Sequence, residues 1–122
     1  FFNKNFKSKN FIGIEYFEKQ FSYCKKEFSK YENIKLIKDD FTKFDFLKYK
    51  ADCFFINDPI IEESTFVNVL KKIINSNDSN SNILFIFVNC NNSVIKTIKH
   101  IQCIETYSIN DRKGYSIYCT NN

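Results

Sequence analysis

Three short polar clusters, Glu15-Tyr16, Asp39-Asp40-Phe41 and Asn57-Asp58-Pro59, each stand directly after an apolar run. Their chemistry suits a nucleoside with a polar reaction end. A carboxylate at Glu15 can accept two hydrogen bonds from the vicinal hydroxyls of a ribose, and the ring of Tyr16 can lie against an adenine. Asp40 can accept from an exocyclic amine while the backbone N–H of Phe41 meets a ring nitrogen. Asn57 and Asp58 offer a carbonyl and a carboxylate to hold a donor group near a reacting centre. Each cluster also has a plainer reading. Glu15 suits the positive start of a following helix, Asp39 and Asp40 suit a solvated loop, and Asn-Asp-Pro is a set of turn formers. The shared position after strands favours the sharper reading, because parallel strands deliver their carboxyl ends to one edge, where open α/β sheets bind ligands.

The elements that must position these clusters are written in the hydrophobic periodicity. "FIGIE" is a short apolar run, and Phe17, Phe21, Cys24, Phe28 and Tyr31 then recur at steps of four and three, one face of an amphipathic helix. "NIKLIKDD" alternates as a strand does, and "ADCFFINDP" reads as a buried strand stopped by Pro59. A second helical face follows at Phe66, Val69, Leu70, Ile73 and Ile74, with Glu62 and Glu63 at its N-terminal end. "ILFIFV" is apolar at every position, as a strand covered on both faces would be. A short helix is expected over 93–100. The tail, "QCIETYSIN" and "GYSIYCT" around "DRK", reads as an antiparallel hairpin at the sheet edge. The helical phenylalanines are expected in the core, and His100 is expected at a helix end facing carbonyls or solvent.

The chain's 122 residues form one domain at most, with 43% hydrophobic and 26% charged residues, the composition of a globular protein. It contains no methionine, and it reads as a fragment or a processed chain. No run approaches the roughly 20 apolar residues that a membrane helix needs, and "FFNKNFKSKN" lacks the apolar core of a secretory signal. The net charge of +4 comes from dispersed lysines with Arg112 as the sole arginine, so nucleic acid is not the expected partner. Five cysteines, Cys24, Cys53, Cys90, Cys103 and Cys119, show no metal-site spacing and read as buried free thiols in a reducing cytoplasm. No metal site is expected.

The clusters and their order together resemble a class I S-adenosylmethionine-dependent methyltransferase over residues 11–119. "GIEY" is similar to the acidic end of that family's second strand, "IKDDF" to its adenine-contacting segment, and "DCFFINDPI" to its fourth motif. The reversed terminal strand pair also resembles the family's. The resemblance implies a Rossmann-like open α/β sheet, mostly parallel with an antiparallel C-terminal pair and helices on both faces, and S-adenosylmethionine as cofactor. It assigns Glu15 to the ribose, Tyr16, Asp40 and Phe41 to the adenine, and Asn57, Asp58 and Pro59 to the methyl-transfer centre, beside an unidentified acceptor.

Two features depart from the family's pattern. Its first strand and glycine-rich loop have no counterpart, since Gly13 and Gly114 are the only glycines. The spacing from a glycine loop to a ribose acid, about 20 residues, puts that loop upstream of Phe1. "FFNKNFKSKN" is then the remnant of the first helix, and the missing strand would lie between those ending at Glu15 and Asn57. Ile60 stands where the amino-methylating branch has an aromatic, so base methylation is not carried over and the acceptor stays open. The expected domain is therefore 1–122, a single methyltransferase-like domain truncated at its N-terminus. Rival readings are a non-catalytic remnant serving as an interaction module and, with less support from the tail, a nicotinamide-dependent oxidoreductase.

Overall fold

A computed structural model describes residues 10–59, 61–76 and 82–121. The expectations for the remnant at residues 1–9, for Ile60 and for much of the Asn/Ser loop lie outside the described residues. The chain divides into two compact units, one ending at Phe44 and the other beginning at Asp45.

In the first unit, β1 (Phe11–Glu15) and β2 (Ile34–Lys38) pair in parallel, in register from Phe11 opposite Ile34 to Glu15 opposite Lys38. Parallel pairing demands a crossover, and helix α1 (Glu18–Phe28) supplies it. Its ends are set by charge and by the chain's turn: Glu18 lies in the first turn, Lys25 and Lys26 in the last. The expected core role of its apolar face is corrected here. None of the residues of α1 is buried, and Phe17 and Phe28 are 50% and 39% exposed. Two strands about 5 Å apart cannot cover a helix about 10 Å across, so part of the stripe stays open to solvent.

The second unit holds β3 (Cys53–Asn57), β4 (Leu84–Val88), β5 (Ile101–Asn110) and β6 (Lys113–Thr120) in the order β3-β4-β6-β5. β3 and β4 are parallel, whereas β6 runs antiparallel to both β4 and β5. The expected hairpin is present, with its outer strand at the sheet edge. The alternation of β4 buries Phe85 and Phe87 and leaves Leu84, Ile86 and Val88 half-buried, so one face is fully covered rather than two. The β3 run is likewise not buried throughout, because as the terminal strand it exposes Cys53, Phe55 and Asn57 in alternation.

Helix α3 (Glu63–Asn75) buries Phe66, Val69, Leu70 and Ile73, the face read from the sequence. Phe66 meets Phe87 edge to face at 6.1 Å, Phe85 and Phe87 stack at 5.7 Å, and Tyr118 closes on Phe87 at 5.9 Å. Such aromatic pairs add about 0.5–1.5 kcal/mol each to their area burial. Thr120 anchors the last strand, its N–H donating to the Ile83 carbonyl at 3.0 Å and its hydroxyl accepting from the Ile83 N–H at 2.9 Å.

Three local features differ from the sequence reading. A one-turn helix, α2 (Phe46–Tyr49), forms in the aromatic connection, capped by Asp45, which accepts from the Lys48 N–H. Helix α4 is short, Asn92–Ile95, with Asn91 accepting from the Ser93 N–H, and it stops because the chain must reverse into β5. His100 accordingly sits in the turn directly before that strand with φ +69°, not at a helix end. The cysteines also differ: Cys90 is buried, Cys24 and Cys119 are half-buried, and Cys53 and Cys103 are exposed, all five being free.

Candidate functional site

Each cluster read from the sequence lies at the carboxyl end of a strand. Glu15 and Lys38 close the parallel pair, and the Asp39 N–H donates to the Glu15 carbonyl at 3.2 Å, tying the ends of β1 and β2 together. Glu15, Tyr16, Asp40 and Phe41 are thus brought to one end of the first unit's sheet. Asn57, Asp58 and Pro59 end β3 in the second unit.

Glu15 is half-buried, and its Oε1 accepts from the Phe17 N–H at 2.9 Å at the start of α1. One carboxylate oxygen therefore serves the helix entry, and Oε2 has no partner among the described residues. The Tyr16 ring is 63% exposed and meets Phe17 edge to face at 5.4 Å. Nearby, Lys38 forms an ion pair with Glu18, whose carboxyl is held below its ordinary value by that lysine.

Asp40 builds its own turn. Its Oδ1 accepts from the Thr42 hydroxyl at 2.7 Å and from the Thr42 N–H at 3.0 Å. The Thr42 hydroxyl, then its N–H, hold the Asp40 carboxyl below the ordinary range, against a smaller opposing effect of burial. Asp39 in turn accepts from the Asp40 N–H at 2.7 Å. The result is a tight acidic turn in which the N–H of Phe41 finds no acceptor among the described residues. A half-buried, unpaired N–H is the donor that a ring nitrogen would need.

At the end of β3 the backbone of Asp58 takes φ +36°, and its N–H donates to the Val88 carbonyl at 2.9 Å. An aspartate tolerates this left-handed conformation better than most residues. Its carboxylate has no hydrogen-bond partner among the described residues. Asp58 and Pro59 line a cleft of about 50 Å³ with Glu63, Asn89, Cys90 and Arg112 among its walls. Burial pushes the Cys90 thiol up to about 11, and the negative charge of Asp58 adds to the shift. Cys90 is thus a neutral thiol packed on the Ile56 and Val88 carbonyls, not a nucleophile.

Sequence reasoning assigned no site role to Glu63, Asn91 or Arg112. Glu63 Oε1 accepts from Asn91 Nδ2 at 2.7 Å and faces Arg112 Nη2 at 3.5 Å, linking α3, the β4–α4 loop and the β5–β6 turn around the cleft. The available signal was the placement of the chain's one arginine in a two-residue hairpin turn. Among the described residues no group of three or more His, Cys, Asp or Glu can hold a metal ion. No helix among them is long and apolar enough to cross a membrane.

No family model matches the sequence, and no curated protein matches it. Solved structures do match. The N-methyltransferase NodS from Bradyrhizobium japonicum, in complex with S-adenosyl-L-homocysteine, superposes with a TM-score of 0.66 at 8% identity, over 93% of this chain and 66% of that one. An rRNA methylase from Streptococcus thermophilus gives 0.62 at 12% identity, over 92% and 73%. The chain has the class I methyltransferase fold. A pericyclic reaction enzyme is also similar, with a TM-score of 0.65 at 8% identity over 98% of this chain and 39% of that one. The methyltransferase fold therefore also carries other chemistry, and the activity must be argued from the residues of the site. Among the described residues β1 and β3 are each terminal in their sheets.

Proposed function

We propose that this chain is part of an S-adenosylmethionine-dependent methyltransferase, working in the cytoplasm on an acceptor held beside Asn57, Asp58 and Pro59. Glu15 binds the ribose of the cofactor, and Tyr16, Asp40 and Phe41 take the adenine. The observation that carries this reading is the N–H of Phe41 beside Asp40 and the second carboxylate oxygen of Glu15 at the end of the neighbouring strand, neither of which has a partner among the described residues. The S-adenosyl-L-homocysteine bound to NodS, which has the same fold, supports that choice of cofactor.

S-adenosylmethionine supplies an electrophilic methyl group on a sulfonium. The chain's residues hold and orient: Glu15 fixes the sugar, the Asp40 turn fixes the base, and Asp58 presents a carboxylate to the acceptor's N–H or O–H. In-line displacement gains most of its rate from such alignment. Calorimetry with S-adenosyl-L-homocysteine tests the reading. Glu15→Ala should weaken binding by about 1–3 kcal/mol, as expected for lost charged hydrogen bonds, and unchanged affinity would remove Glu15 from the site.

A second reading, a non-catalytic remnant acting as an interaction module, draws on the terminal positions of β1 and β3, since unpaired strand edges invite another chain. Absence of any S-adenosyl-L-homocysteine binding by the folded protein would favour it.

A further inference from the structure

We propose that Arg112 is a specificity-determining residue that holds an anionic group, carboxylate or phosphate, of the molecule reacting beside Asp58. The inference rests on the methyl-transfer reading and names the acceptor's chemical class. Arg112 is the sole arginine among 18 basic residues, and it lines the same narrow cleft as Asp58 and Pro59. The one polar contact of its guanidinium among the described residues is a single long approach of Nη2 to Glu63 Oε1 at 3.5 Å, with the side chain 68% exposed. An ion pair of that kind is weak and leaves the rest of the planar guanidinium, a fork shaped for two parallel bonds to a carboxylate or phosphate, free to take a ligand.

The turn that carries Arg112 is fixed rather than loosely solvated. The Arg112 N–H donates to Asn110 Oδ1 at 2.9 Å, and the Asn92 N–H donates to the Asp111 carbonyl at 3.1 Å. On the other side of the turn, the Asn89 N–H donates to the Gly114 carbonyl at 2.9 Å, and the Gly114 N–H donates to Asn89 Oδ1 at 3.3 Å. The hairpin turn is thus tied to the carboxyl end of β4, where the cleft opens, and the guanidinium is presented there without first having to order a loop.

The cleft's other charges define the ligand more closely. Asp58 and Glu63 both face it, and they oppose a bare anion. A molecule that brings a donor N–H or O–H to Asp58 together with an anionic group for Arg112 satisfies both ends. A volume of about 50 Å³ admits only an end group of that molecule, so the anion rests at the mouth.

Because the chain has one arginine, its side-chain Nε–H gives a single NMR signal that needs no assignment. Inorganic phosphate and glycine are titrated separately into the whole chain at constant ionic strength, with chloride as control. The expected result is a saturable shift of that signal with phosphate or glycine and none with chloride. Tighter phosphate binding indicates a phosphorylated acceptor, and tighter glycine binding a carboxylate. Glu63→Gln, which keeps the contacts to Asn91 and Arg112 but removes one negative charge, should tighten the anion by about two- to fivefold. A linear response equal to that of chloride, or an affinity untouched by Glu63→Gln, overturns the inference. Calorimetry with S-adenosyl-L-homocysteine on the same samples separates the two claims. Cofactor binding without anion binding sinks only the role of Arg112. Anion binding without cofactor binding sinks the methyl-transfer reading and leaves an anion site of another kind.

Discussion

The two units differ in how they hold together. The second unit has a packed aromatic core in which Phe85, Phe87, Leu70, Ile73 and Ile95 are almost wholly inaccessible. In the first unit, two strands and a helix bury little, and the helix contributes no buried residue. Yet the first unit carries the acid, the exposed ring and the N–H proposed above for a nucleoside, whereas the second carries the narrow cleft beside Asp58. Burial is concentrated in one region, and the residues proposed for the cofactor lie in the other. Binding surfaces need open polar groups, and a helix packed on two strands leaves them open.

The comparison breaks most sharply at the phenylalanines. Phe85→Ala should cost about 3–5 kcal/mol in denaturant unfolding, the usual range for a buried aromatic. Phe21→Ala, on the half-buried face of α1, should cost less than about 1 kcal/mol. Equal losses would show that the first unit is as tightly packed as the second.

Gly114 comes next. Its φ of +137° suits only glycine, and an added Cβ would lie 2.1 Å from the Tyr107 carbonyl oxygen. Gly114→Ala should therefore destabilise the second unit by about 2 kcal/mol or more, read by thermal unfolding. Because that hairpin turn also carries Arg112, the variant should also lose the anion response proposed above. A variant that is destabilised but keeps the response would separate the hairpin's structural role from its site role.

Acid sharpens the contrast from the first unit's side. The Asp40 carboxyl titrates below its ordinary value, chiefly because Thr42 hydrogen-bonds to its ionised form. Its contribution is thus fully present above the unfolded-state value near 4 and is lost as pH falls through the lower folded-state value. The stability difference between wild type and Asp40→Asn should shrink on acidification below about pH 4, and a difference independent of pH would contradict the Thr42 contacts. The smallest effect concerns rates rather than stability. At pH 8, iodoacetamide should alkylate exposed Cys103 well before Cys90, whose thiol is buried and raised to about 11. Faster loss of Cys90 by peptide mass mapping would mean that the cleft opens more readily than its packing implies.

Much of this architecture was legible in the residues themselves. The face Phe66, Val69, Leu70 and Ile73 was readable because helical periodicity and burial agree when a broad sheet lies beneath. The same periodicity at Phe17, Phe21, Cys24 and Phe28 identified a helix but not its exposure, because amphipathicity does not state how wide a surface the partner offers. The paired acids marked the turn after β2, but only the geometry revealed that Thr42 occupies Asp40 and leaves the Phe41 N–H open.

The sequence alone determined the element order apart from the one-turn α2, the reversed terminal pair and the placement of three polar clusters after strands, since these follow from local periodicity and from turn chemistry. Tertiary structure alone decided that β3 is a terminal strand with alternating exposure, that Glu63 meets Asn91 and Arg112, and that Arg112 borders the Asp58 cleft. Those pairings join residues 28 and 49 positions apart. No local pattern encodes such a separation; the register of the sheet and the closure of its hairpin bring the residues together.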